Sequence, residues 1–123
     1  DLIAGFPTET EDHHAANLSI VRELGIVHGH IFPYSPRPGT PAARMPQVER
    51  QTVKRRAAEL RALASSTRDA WLASLVENPH AVLAERDGTG YTPHFARVSL
   101  PEGTPAGSVI TVSPTRFENG LLQ

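Results

Sequence analysis

Apolar residues run almost unbroken through positions 1–6, Asp-Leu-Ile-Ala-Gly-Phe, the pattern of a parallel strand buried on both faces. Pro7 stops pairing there, and Thr8 with Glu11 has the spacing of a capping box. The next segment turns to helical periodicity, with Ala15, Leu18, Val21 and Leu24 on one face and Gly25 where a left-handed cap belongs. His13 and His14 open this helix and read as surface residues. Ile26 to Phe32 reads as a second strand. Strand, helix and strand in so short a span predict a right-handed βαβ unit. One such unit cannot cover its own sheet, so further strands are expected upstream in a longer parent, or else a poorly packed end.

Prolines 33, 36, 38, 41 and 46 with Gly39 then dictate an extended, restricted loop. In an α/β barrel, a loop leaving the C-terminal end of a strand lies on the catalytic rim. From Val48 to Val76 neither Gly nor Pro intervenes. Val53, Ala57, Leu60, Ala64, Thr67, Trp71 and Leu75 recur at steps of four and three, a helical apolar stripe that extends roughly 40 Å at ~1.5 Å per residue. Lys54, Arg61 and Arg68 each follow a stripe residue by one position and form a basic ridge beside it. Trp71 reads as the anchor of this helix to the segment that follows.

Asn78-Pro79 ends the helix, and the chemistry changes. Runs at 80–86, 91–100 and 108–113 are rich in Val, Thr and Ile, and turn residues divide them. A last short run surrounds Gly120. This predicts a small all-β barrel of the oligonucleotide-binding sort. The organisation expected is therefore α/β plus all-β: residues 1–47, a long linking helix over 48–78, and a barrel over 79–123.

Charge and composition sharpen the picture. The net charge of −1 conceals segregation: Asp1, Glu9, Glu11, Asp12 and Glu23 face only Arg22 within residues 1–30. Residues 44–68 instead carry seven bases against Glu49 and Glu59. Such an excess is either a footprint for a polyanion or a solvated helix face. The chain has no cysteine, which excludes disulfides and thiolate-held zinc or iron–sulfur sites of its own. His28 and His30 would alternate onto one strand face, a spacing that permits two imidazoles on one metal. Without further ligands, pocket-facing or hydrogen-bonded histidines are the better reading, and no metal site is assigned. Nothing approaches the roughly 18 apolar residues of a membrane span. No signal peptide is visible, and a cytoplasmic protein is expected. The opening on Asp1, without Met, reads as a piece of a longer chain.

Two stretches carry a family resemblance. Asp1 to Thr10, Asp-Leu-Ile-Ala-Gly-Phe-Pro-Thr-Glu-Thr, resembles the Asp-hydrophobic-Ile-x-Gly-Phe-Pro-Gly-Glu-Thr segment of the tRNA methylthiotransferases. His30 to Met45, with Phe32-Pro33-Tyr34-Ser35-Pro36-Arg37-Pro38-Gly39-Thr40 at its centre, is similar to the family's sixth barrel strand and the loop after it. Gly90-Tyr91-Thr92, Phe95 and Val98 resemble the terminal TRAM barrel of these enzymes. His30 and Pro33 around Phe32 are closest to the branch that modifies threonylcarbamoyladenosine next to the anticodon, with the isopentenyladenosine and ribosomal-protein branches as alternatives. Thr8 departs from the pattern, standing where the family has Gly. The Cys-x-x-x-Cys-x-x-Cys cluster loop is absent and would lie upstream.

The resemblance implies the C-terminal part of a radical S-adenosylmethionine enzyme: the end of a partial TIM barrel, the linking helix and a TRAM barrel. It implies S-adenosylmethionine and two 4Fe-4S clusters in the parent, the tRNA anticodon stem-loop as partner, and no catalytic residue in this stretch. Ile3 and Gly5 would line the cofactor pocket, and Phe32, Pro33 and Tyr34 would wall an adenine, since a purine needs a flat, apolar slot. Arg37 would pair with a phosphate or a substrate carboxylate, or else brace its loop through a salt bridge. Lys54, Arg61 and Arg68 would meet phosphates. In a strand over 91–98, Tyr91, Phe95 and Arg97 would share an exposed face suited to unpaired bases, with Thr92, Ala96 and Val98 inward. The alternative is a non-enzymatic RNA-binding module made of the basic helix and the barrel.

Overall fold

In a computed structural model that describes all 123 residues, β1 (Leu2–Ala4) and β2 (Ile31–Pro33) pair in parallel through Leu2 with Ile31, Ile3 with Phe32 and Ala4 with Pro33. Between them runs α1 (Glu11–Glu23). Its N-cap is Thr10 rather than Thr8: the Thr10 hydroxyl accepts from the His13 amide, and the His13 ring accepts in return from the Thr10 amide. Thr8 is instead held at φ 66°, its amide donating to the Pro46 carbonyl. That left-handed turn is one that glycine adopts without penalty. At the other end Gly25 (φ 58°) donates to the Arg22 carbonyl and Ile26 to that of Val21, the paired bonds of a Schellman cap.

The buried face of α1 is rotated from the expected one. His14, Leu18 and Val21 turn inward, whereas Ala15 and Leu24 are exposed. His14 is buried, not a surface residue, because its Nε2 reaches Glu59 Oε2 at 2.6 Å. The second strand is also shorter than the apolar run suggested. Residues 26–30 are not strand; Gly29 passes so close to Ala64 that a Cβ there would lie 3.4 Å from the alanine methyl. Nor is the small sheet covered on both faces, since Ile3 and Phe32 are each 51% exposed.

The proline-rich segment closes with a 3-10 turn at Ala42–Arg44 and leads into α2 (Arg50–Leu75). Val53, Ala57, Leu60 and Ala64 are buried as the stripe requires, and Ala57 and Leu60 pack with Ala4, Val21 and Ile31 as one core. Arg56 is buried too, which the stripe did not anticipate. It pairs with Glu9 at 2.7 Å, the two side chains being 4% and 6% exposed, and with Glu11 at 2.7 Å. Arg55 bonds Glu11 and Glu59. The acidic first third and the basic helix therefore neutralise one another in part, which reduces the polyanion footprint that charge counting suggested. The guanidinium of Arg56, then that of Arg55, holds the Glu11 carboxyl below its usual range. His14 and then Arg55 do the same for Glu59.

Contacts divide the chain into two units, Asp1–Arg68 and Asp69–Gln123. The division falls inside α2 rather than near 76–80, because Leu72, with Trp71 and Leu75, packs into the second core beside Val82, Ala96, Val98 and Leu122. That second unit carries β3 (His80–Ala84), β4 (Thr89–Tyr91), β5 (Arg97–Ser99), β6 (Val109–Val112), β7 (Phe117–Glu118) and β8 (Leu121–Leu122). They form one six-stranded sheet in the order β6-β3-β4-β5-β8-β7. The whole is mixed α/β, with two α-helices and this sheet. The expected strand over 91–98 is two strands and a turn: the Thr92 amide donates to Ala96, Phe95 to Thr92, and Phe95 stands at φ 64°. Asn119-Gly120, both at positive φ, makes the tight turn between β7 and β8. No helix is long and apolar enough to cross a membrane.

Gly5 ends β1 at φ 74°, and a Cβ on it would lie 2.5–2.9 Å from the Val53 side chain. Its missing side chain thus serves the packing of α2 against the strand end. Gly5→Ala is expected to cost about 2–4 kcal/mol, from left-handed strain plus overpacking. Urea denaturation checks this. In Gly5→Ala with Val53→Ala, the combined loss should be smaller than the sum of the single losses. A single variant within about 0.5 kcal/mol of wild type would contradict the close-packing account.

Candidate functional site

Three surfaces gather the chemistry that the sequence points to. The first surrounds the exit of β2. Pro33 and Tyr34 line a cavity of about 490 Å³ with Pro36, Val48, Val53 and Lys54. The Tyr34 ring meets Phe6 edge-on at 5.5 Å, and the Tyr34 amide donates to the Ala4 carbonyl, so the ring is placed by both strands. The Tyr34 hydroxyl is buried without a hydrogen-bond partner. Apolar walls, cations from Arg50 and Lys54, and one orphaned hydroxyl suit a flat ligand with polar edges, so the residues fit a nucleoside-type cofactor.

The remaining residues assigned to the cofactor lie elsewhere. Ile3 and Phe32 are cross-strand partners on the open face of the β1–β2 pair. Gly5 faces Val53, with its amide donating to Glu9 Oε2 at 3.1 Å. Arg37 is exposed and its side chain makes no ion pair. The loop is braced instead by Thr40, whose amide and hydroxyl both donate to the Arg37 carbonyl.

The second surface divides the expected ridge. Lys54 belongs to the Tyr34 cavity, whereas Arg61 and Arg68 line a separate pocket with residues 27–30. His28 and His30 are exposed there, outside any strand, and His30 Nδ1 lies 3.0 Å from Asp1 Oδ1. No group of three or more His, Cys, Asp or Glu is placed to hold a metal ion.

The third surface lies on the six-stranded sheet. Register puts Val109 of β6 opposite Leu83 of β3, Leu83 opposite Tyr91 of β4, and Tyr91 opposite Arg97 of β5. One row of side chains therefore crosses four strands. Leu83 and Val109 are exposed, and with Tyr91, Pro93 and Phe95 they line an apolar depression of about 300 Å³. Thr92, Ala96 and Val98 face inward. The hairpin register supplies this arrangement, rather than alternation along a single strand. Arg97 is already engaged, with Nη2 2.6 Å from Asp87 Oδ2 and Nε donating to the Thr89 hydroxyl. Bonds from the Thr89 hydroxyl and amide, and then from Arg97, hold the Asp87 carboxyl below its usual range. Sequence reasoning missed Leu83 and Val109: Ala81, Val82, Leu83 and Ala84 are all apolar, so nothing local marks Leu83 as the exposed one.

No family model matches the chain. It is 32% identical over 123 residues, all of this chain and 29% of the relative, to the threonylcarbamoyladenosine tRNA methylthiotransferase MtaB of Rickettsia prowazekii. It is 40% identical over 88 residues, 72% of this chain and 20% of the relative, to the tRNA-2-methylthio-N(6)-dimethylallyladenosine synthase of Paracoccus denitrificans. The synthase of the same name from Bifidobacterium longum is 35% identical over 94% of this chain and 27% of the relative. The chain thus spans under a third of the length of these relatives.

Phe95 is 69% exposed and left-handed, so its ring contributes little burial while its backbone is strained. Phe95→Asn is expected to leave stability unchanged or raise it by about 0.5–1 kcal/mol, since Asn tolerates that conformation. Thermal or urea unfolding measures this. A loss above about 1 kcal/mol would make Phe95 part of the core.

Proposed function

We propose, because tRNA methylthiotransferases are homologues of this chain, that its 123 residues form the C-terminal part of such an enzyme. The enzyme installs a methylthio group on the modified adenosine next to the anticodon, with N6-threonylcarbamoyladenosine as the base. The observation that carries this reading is similarity along the entire chain to a relative named for that base. A second reading, the dimethylallyladenosine branch, draws support from the higher identity over 88 residues to a relative named for that one.

Within this reading, S-adenosylmethionine and two 4Fe-4S clusters, implied by the resemblance, supply the radical sulfur insertion and the methyl group when bound. The chain has no cysteine, so the cluster thiolates belong to another part of the enzyme. Pro33 and Tyr34 provide an apolar wall, and the buried Tyr34 hydroxyl waits for a polar atom of the ligand. Ile3 and Phe32 offer a second, separate apolar face on the β1–β2 pair, and Gly5 fixes the end of the strand that carries Ile3.

The six-stranded sheet acts as a TRAM-like RNA surface. Tyr91 and Phe95 stack on unpaired bases of the anticodon stem-loop, each contact worth roughly 1–3 kcal/mol. Arg97, held by Asp87, positions that row more than it adds free charge. Arg37, Lys54, Arg61 and Arg68 meet backbone phosphates, a contact indifferent to sequence. A cytoplasmic setting follows from tRNA as substrate.

The test is to express the whole protein in a bacterial host lacking its own methylthiotransferases and to analyse tRNA nucleosides by mass spectrometry. The methylthio derivative of threonylcarbamoyladenosine should appear, and Tyr91→Ala should reduce it several-fold while the protein remains folded. The dimethylallyl derivative alone would move the protein to the second branch. Absence of both, with RNA binding intact, would favour a non-enzymatic binding module.

A further inference from the structure

Five arginines of this molecule are described by their surroundings in two contrasting ways. Arg55, Arg56 and Arg97 are engaged by carboxylates. Arg61 and Arg68 have no carboxylate partner, yet they line one pocket of about 280 Å³. Its wall on α2 is made by Arg61, Ala64, Ser65 and Arg68, which recur at three, one and three residues and so share one helix face. Its other wall is the 27–30 segment with His28 and His30.

The two guanidinium groups are held differently. Arg61 Nη2 donates to the Ile31 carbonyl at 3.1 Å, which tethers that group at the wall. Arg68 Nε is buried with no acceptor, an arrangement that is costly until an acceptor arrives. Gly29 and Ala64 keep the walls close, and the Ser65 hydroxyl adds a neutral donor. Asp1 Oδ1 reaches the lining at His30 Nδ1, 3.0 Å away, and both of those side chains are largely solvent-exposed. Two forked cations and a hydroxyl line a concave site, beside an imidazole, His30, that Asp1 engages. That donor set matches a tetrahedral oxyanion, whose oxygens accept from several N–H groups together.

We infer that the pocket between residues 27–30 and the Arg61–Arg68 face of α2 is a phosphate-binding site. Resting on the proposed tRNA reading, its occupant is a phosphodiester of the RNA backbone; a free phosphate has the same chemistry and is separated by experiment. Lys54 contributes to the other cavity, so the basic ridge is two sites rather than one strip.

The test uses the whole protein, a fluorescently labelled anticodon stem-loop RNA across a range of salt concentrations, and inorganic phosphate titrated calorimetrically. Arg68→Gln and Arg61→Gln should each weaken RNA binding roughly tenfold at low salt and lower the salt slope by about one. Ser65→Glu, which places a carboxylate at an exposed helix position in the pocket, should do at least as much. Arg68→Lys should keep the slope while losing affinity, and Arg22→Gln, an equal charge loss on α1, should change neither. Unfolding curves confirm that each variant is folded. Phosphate binding that depends on Arg68 while RNA binding does not would identify the occupant as free phosphate. If neither ligand responds to Arg68→Gln or Ser65→Glu, or Arg22→Gln weakens RNA binding equally, the pocket is not a phosphate site. Tyr91→Ala run in parallel keeps the readings apart: its loss of affinity beside an indifferent Arg68→Gln leaves the tRNA reading standing and removes only the pocket.

Discussion

Arg56 holds the first unit together. It stands beside the apolar stripe of α2, at a buried position where an unpaired charge would be costly, and Glu9 meets it there with both side chains nearly inaccessible to water. Its Nη1 also donates to the Glu9 carbonyl at 2.9 Å, and its Nη2 reaches Glu11 at the first turn of α1. The turn between β1 and α1 is thereby fastened to the long helix through three acceptors. Glu9 Oε2, the other oxygen of the same carboxylate, accepts the Gly5 amide. Removing one partner of such a pair typically costs about 3–5 kcal/mol, because the remaining charge stays buried. The close approach of Val53 to Gly5 lies three residues earlier on α2 and depends on the same docking.

Much of this was legible in the chain itself. The steps of four and three from Val53 to Ala64 identified the buried face of α2, because a helix has no other way to place those residues together. Gly25 announced its cap. Pairing specificity was not legible: Arg56 resembles its basic neighbours in sequence, and only the arrival of Glu9 and Glu11 makes it a buried residue. His14 was misread for the same reason, since its partner Glu59 is 45 residues away. Leu72 fell outside the stripe because it stands one position after Trp71, and it widens the face that Trp71 and Leu75 already present to the second core. At 91–98 the run of strand-forming residues hid a turn, although Pro93 was a signal against continuous pairing.

The candidate site shows the same division. Tyr91 and Phe95 lie opposite in burial to Thr92, Ala96 and Val98 as alternation would have them, but the turn at 92–96 and the pairing of β4 with β5 produce this, not one continuous strand. The companions Leu83 and Val109 required the register of three strands, which no local pattern encodes. The result is an apolar row ending in an arginine whose charge is already satisfied. A separate, cationic pocket on the first unit has guanidinium groups with no carboxylate of their own. In the proposed function, apolar stacking and phosphate contact fall to different elements, which is the chemical division a folded RNA presents between its bases and its backbone.

Hydrogen exchange of the whole protein, with and without an anticodon stem-loop RNA, reads both surfaces in one measurement. Amides at 92–96 and at 27–30 should slow on binding, while those of α1 over 11–23 remain unchanged. Protection confined to α1, or no change at either 92–96 or 27–30 under conditions where the RNA is bound, would contradict the assignment of these surfaces to RNA.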